Sequence, residues 1–114
     1  MQTEVFTKEQ YKELTNNLIR IIEKRKIVPL NTLKNAHYTL RNPLYITIEI
    51  DDGLVIASLD DIEAFAYADT EYEAINHLCE EIVNIYEDLK EDRENLGVLP
   101  RKWLAFLEEI IKER

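Results

Sequence analysis

Between positions 44 and 51 apolar and polar side chains alternate strictly, with Leu44, Ile46, Ile48 and Ile50 set against Tyr45, Thr47, Glu49 and Asp51. A period of two places each set on one face of a β-strand. Asp52-Gly53 follows, a pair that tolerates positive φ at both centre positions of a type I′ turn, and Leu54 to Leu59 returns as a second strand. That turn sets Ile50 opposite Val55, Ile48 opposite Ala57 and Ile46 opposite Leu59, all apolar and all on one face. Asp60-Asp61 reads as a turn. Ile62 to Ala68 reads as a third strand, with Ala64, Ala66 and Ala68 on one side and Glu63, Phe65 and Tyr67 on the other. Small residues on one face let a helix lie close to the sheet.

The rest of the pattern is helical. Thr7 and Gln10 form a capping box, Phe6 can staple against Tyr11, and Tyr11, Leu14, Leu18 and Ile21 or Ile22 recur at spacings of three and four. This N-terminal helix is expected to stop near Lys26, with Lys24, Arg25 and Lys26 in its last turn and Pro29 blocking continuation. Residues 27–43 carry weak signals: Ile27 and Val28 can begin a strand, residues His37 to Leu40 can form a short one, and Asn42-Pro43 is a turn pair. Thr70 with Glu73 caps a long helix in which Ile75, Leu78, Ile82, Ile85 and Leu89 repeat to about Asp92. At 1.5 Å per residue that helix reaches about 33 Å, against about 20 Å for the hairpin strands, so its end needs another partner. Pro100 suits the first turn of a last helix whose apolar face holds Trp103, Leu104, Leu107, Ile110 and Ile111.

The fold class expected is therefore α+β. An N-terminal helix precedes a small antiparallel three-stranded sheet, with residues 36–41 available as a fourth short strand. The sheet packs against the long helix, and a short C-terminal helix follows. The chain of 114 residues is one domain's worth. It divides into an N-terminal helix and extension (1–43), a βββα core (44–92) and a C-terminal helix (93–114).

Charge sharpens this division. Residues 1–41 carry eight bases against four acids, residues 42–89 carry thirteen acids and no Lys or Arg, and residues 90–114 carry six of each. The formal net charge of −9 thus sits in one central block. It disfavours nucleic acid and anionic membranes as partners and would attract a basic one. No stretch is apolar enough to span a membrane, Met1 to Val5 lacks the apolar run of a signal peptide, and the single Cys79 suits a reducing compartment. A cytoplasmic protein is expected.

Catalytic signatures are missing. His77 and Cys79 stand two apart on a helix and point to different sides, so they make no metal pair. His37 has no evident partner in sequence. The acids Asp51, Asp52, Asp60, Asp61 and Asp69 have the oxygen chemistry of a divalent-cation site, but turns and a helix cap account for them. There is no nucleophile motif and no glycine-rich phosphate loop. Neither an enzyme nor a bound cofactor or metal is expected.

The string Ala68-Asp69-Thr70-Glu71-Tyr72-Glu73-Ala74 resembles the Gly-Asp-Thr-x-x-Glu-Ala junction of HicB-like proteins, with alanine in place of the leading glycine. The preceding small-residue strand and the following Ile75 to Ile82 also look like that family, so the resemblance covers about residues 44–92. HicB-like proteins are antitoxins of type II toxin–antitoxin pairs with a partial ribonuclease-H-like fold. The resemblance implies that this chain binds and neutralises a small basic toxin-like protein by covering its active surface. The segment after Gly97 is too short for a helix-turn-helix, so no DNA binding is expected of it. The partner-facing candidates are Tyr45, Glu49, Ile56, Glu63, Phe65 and Tyr67, on the strand face opposite the long helix. The N-terminal helix, with Tyr11, Leu14 and Leu18, is the other candidate cover for those groups. The alternative is a HicB-like oligomerisation or interaction module without a toxin, a homodimer in which the overhanging helix and the last one meet a second copy through Tyr86, Leu89, Trp103 and Leu107.

Overall fold

The computed structural model describes residues 25–114. The expected N-terminal helix from Thr7 onward, with its capping box and apolar stripe, lies outside the described residues except for its last two positions. Arg25 and Lys26 begin a strand instead.

The elements run β1 (Arg25–Leu30), β2 (Tyr38–Leu40), β3 (Leu44–Asp51), β4 (Leu54–Leu59), β5 (Ala64–Ala68), α1 (Glu71–Glu91), α2 (Val98–Ile110) and β6 (Ile111–Glu113). β1, β3, β4 and β5 form one antiparallel sheet in the order β1-β3-β4-β5, and β2 pairs with β6 in a second, two-stranded sheet. The three-stranded sheet expected from the sequence is therefore corrected to four strands. The fourth comes from 25–30, while the short strand within 36–41 joins the C-terminal residues.

β1 qualifies as a strand because its residues alternate once they are set against β3. Lys26, Val28 and Leu30 pair with Ile48, Ile46 and Leu44, and Arg25, Ile27 and Pro29 pair with Glu49, Thr47 and Tyr45. Pro29 has no N–H to give a ladder, which confines it to an edge, and β1 is an edge strand. The basic residues that suggested a helix end make ion pairs here, Arg25 with Glu49 at 3.2 Å and Lys26 with Glu71 at 3.0 Å.

The hairpin of β3 and β4 has the register its turn dictates, with Ile50 opposite Val55 and Ile48 opposite Ala57. Asp52 (φ 51°) and Gly53 (φ 82°) both occupy the left-handed region. The expected third strand is shorter than Ile62–Ala68. Asp60–Ile62 forms a single 3-10 turn that buries Ile62, and Glu63 leaves it at φ 54° before β5 begins.

α1 begins where Thr70 Oγ1 accepts from the Glu73 N–H at 3.2 Å. Its first half lies over β4 and β5 and buries Ala74, Leu78 and Ile82 against Ile46, Ile48, Ala57 and Leu59. Its overhanging half is covered within the same chain. α2 contributes Leu104 and Leu107 to the core, and the β2–β6 pair contributes Tyr38 and Ile111. Tyr38 meets Tyr86 edge to face, with ring centroids 5.5 Å apart. The last helix stops at Ile110 rather than continuing, because Ile111 and the residues after it extend to pair with β2. Two flanking backbone bonds lengthen that pairing, Arg41 N–H to Ile110 C=O at 2.7 Å and Arg114 N–H to His37 C=O at 2.9 Å.

One lysine joins the pieces of this C-terminal clasp. Lys90 Nζ donates to Glu113 at 2.6 Å and sits 4.8 Å from the Tyr86 ring centroid and 5.7 Å from that of Tyr38. The Tyr38 hydroxyl donates to Glu87 at 3.2 Å. The Lys90 hydrogen bond holds the Glu113 carboxyl below its ordinary range, and Glu113 in turn raises Lys90. Burial raises Tyr38, helped by the negative charge of Glu87.

These shifts define two pH limits. A lowered carboxyl stabilises the clasp at pH above its unfolded pKa, and that stabilisation is lost as pH falls through the lowered value. A raised lysine and a raised tyrosine favour the clasp at pH below their unfolded pKa values, and that is lost as pH climbs through the raised ones. Amide hydrogen exchange of Ile111–Glu113 should therefore quicken at both extremes relative to β3. Glu113→Gln should abolish the acid limb while leaving β3 protected; an unchanged acid limb would show that the clasp does not depend on this pair.

Candidate functional site

Every strand of the main sheet alternates, so burying one set of side chains on α1 exposes the other. Two complete rows cross the exposed face. Ile27, Thr47, Ser58 and Phe65 form one, and Arg25, Glu49, Ile56 and Tyr67 form the next. Tyr45 lies beside Pro29 at one end of the face, and Leu54 lies opposite Asp51 at the other. The large side chains here stand out from the protein. Ile27 is 72% exposed, Tyr45 65%, Phe65 61% and Tyr67 60%. Thr47, on a central strand between them, is the one buried polar residue among those described.

All six partner-facing candidates belong to this face or its rim. Tyr45, Phe65 and Tyr67 are exposed, Ile56 is half-buried between Glu49 and Tyr67, and Glu49 is tied to Arg25. Glu63 stands just before β5, its direction set by the left-handed backbone rather than by strand alternation. Sequence reasoning missed Ile27, Pro29 and Arg25, which extend the apolar surface and add its one basic group among the described residues. The available signal was the alternation Arg25-Ile27-Pro29 against Lys26-Val28-Leu30, hidden by reading the basic cluster as a helix end.

The four residues expected at a dimer contact lie elsewhere. Tyr86, Leu89 and Leu107 are buried in this chain's own core, and Trp103 is half-buried against it. They close the overhang of α1 internally.

Chemistry-bearing groups are dispersed. Among the described residues, no three His, Cys, Asp or Glu side chains gather where they could hold a metal ion. Cys79 is buried, its Sγ lies 3.7 Å from the Thr32 carbonyl oxygen, and burial pushes its thiol pKa up, away from the nucleophilic thiolate. A shallow cleft of about 370 Å³ beside the clasp is lined by Ala36, His37, Tyr38, Glu87, Glu113 and Arg114. Tyr38, Glu87 and Glu113 already bond within that cluster. What the exposed face offers is contact area, with aromatic groups of the kind enriched in protein interface cores. No helix among the described residues is long and apolar enough to cross a membrane.

An interaction surface and a structural core respond oppositely to truncation. Tyr45→Ser, Phe65→Ser and Tyr67→Ser should each change the free energy of urea unfolding by less than about 1 kcal/mol, while Ile48→Ala should cost about 2–4 kcal/mol. A loss of core size at any of the three aromatics would mean that the face is covered in the native chain. Compared with protein-family models, with curated proteins and with solved structures, the chain gives no significant match.

Proposed function

We propose that this chain is a non-catalytic binding protein of HicB-like type, which neutralises a small basic partner in the manner of a type II antitoxin. The observation that carries this reading is the exposed sheet face. Tyr45, Phe65 and Tyr67 each leave well over half of their surface to solvent on one side of a four-stranded sheet. Exposed aromatics held by paired strands lose little conformational freedom on binding, so they make good anchors.

Charge supports the choice of partner. β3, β4, β5 and nearly all of α1 fall within residues 42–89, which hold thirteen acids and no Lys or Arg. A field of one sign speeds encounter with an oppositely charged protein and disfavours nucleic acid as an alternative ligand. Inhibition then needs no chemistry from this chain: it occludes the partner's working surface. The inert thiol of Cys79 fits a reducing compartment, and the cytoplasm is the location proposed.

The test is co-expression with a small basic protein encoded beside this one. The two should co-purify, and growth arrest caused by that neighbour should be relieved. Combining Tyr45→Ala, Phe65→Ala and Tyr67→Ala should weaken the complex by at least about 100-fold, about 3 kcal/mol. Raising salt should slow association far more than it speeds dissociation. A neighbour that neither co-purifies nor is neutralised would remove the antitoxin reading.

A further inference from the structure

The two edges of the main sheet are treated differently. The β1 edge carries Arg25, Lys26 and Pro29, the charges and the missing N–H that discourage another strand from adding to it. The β5 edge carries none of these within the strand, its nearest charges being Glu63 and Asp69 just beyond the two ends. It reads Ala64-Phe65-Ala66-Tyr67-Ala68, with no charge, no proline and no strand beyond it among the described residues. An unguarded apolar edge presents a row of unpaired backbone N–H and C=O groups and is a template for strand addition.

The sequence of β5 indicates which strand would add. Small-aromatic-small-aromatic-small reads the same in both directions. When two such strands pair antiparallel about Ala66, each alanine meets an alanine on the helix side. On the open side, Phe65 of each copy stands opposite Tyr67 of the other. Two-fold pairing uses the same patch twice, so a strand that is its own reverse in size is self-complementary. Aromatic pairs directly across an antiparallel ladder contribute about 0.2–1 kcal/mol each.

We infer that the β5 edge is a homodimer contact, joining two copies through antiparallel β5–β5 pairing into one continuous eight-stranded sheet. The contact differs from one built on Tyr86, Leu89 and Leu107, which the single chain buries itself. It also goes beyond the partner-binding reading and does not rest on it. The dimer would set the two open faces side by side, so that Phe65 and Tyr67 lie at the centre of a doubled surface.

One short strand pair per dimer gives a small interface, and two chains of net charge −9 repel. The dimer is therefore expected at about 100 μM protein and to tighten with salt, as screening relieves the repulsion.

Sedimentation equilibrium of the full chain, without any partner protein, separates this inference from the antitoxin reading. A dimer of the 13.5 kDa chain is expected at 150 mM salt. Phe65→Lys with Tyr67→Lys should leave a folded monomer, since both side chains are exposed, while Ile27→Lys on the opposite edge should remain dimeric. Oxidising a mixture of Phe65→Cys and Tyr67→Cys chains should give a disulfide-linked dimer that neither variant gives alone, because only the 65–67 pairs face each other across the axis. A wild-type chain that stays monomeric to about 1 mM, a dimer indifferent to the double lysine change, or the absence of the mixed disulfide would overturn the inference.

Discussion

The whole fold follows from one requirement, that α1 bury an apolar stripe along its entire length. The helix has 21 residues and is buried at Ala74, Leu78, Cys79, Ile82, Val83, Tyr86 and Leu89. The sheet reaches only the first part of that stripe. The remainder would expose Tyr86 and Leu89, and burying such side chains is worth about 1.5–3 kcal/mol each. The chain meets the need with elements distant in sequence, α2 and the β2–β6 pair, which brings residues 38–40 and 111–113 together over the overhang. Lys90 then binds the layers, touching an aromatic ring from β2, one from its own helix and a carboxylate from β6.

The same requirement creates the open face. A single helix layer can cover one side of a sheet, and here it takes the side bearing Ile46, Ile48, Ala57 and Leu59. Alternation leaves Tyr45, Ile56, Phe65 and Tyr67 on the other side. These residues are poor choices for a solvated surface and good ones for contact with another protein. The candidate site is therefore a direct consequence of how the core is built.

Much of this was legible in the residues. The 44–51 alternation and Asp52-Gly53 specify a hairpin and its register with local information only, because both the turn type and the face pattern have to agree. The Thr70 cap and the helix after it are equally local. Five of the six face residues follow from strand parity, while Glu63 sits before β5 on a left-handed backbone that parity cannot describe. β1 was not legible: Arg25 and Lys26 satisfy a helix C-terminus as well as they satisfy Glu49 and Glu71, and only the presence of β3 decides between the two. The role of residues 111–113 was hidden for a similar reason, since three residues carry no periodicity and become a strand only by pairing with Tyr38–Leu40.

What the sequence by itself determined is the hairpin, the long capped helix, the acidity of the 42–89 block and the residues that β3, β4 and β5 turn to the open side. Each depends on neighbours a few positions away, where spacing and turn chemistry act directly. What only the tertiary structure decided is the fourth strand, the second small sheet and the fate of Tyr86, Leu89, Trp103 and Leu107, which turn inward rather than toward a second copy. Those outcomes depend on contacts between segments up to about seventy residues apart, and long-range burial overrides local preference wherever a segment fits two conformations nearly equally.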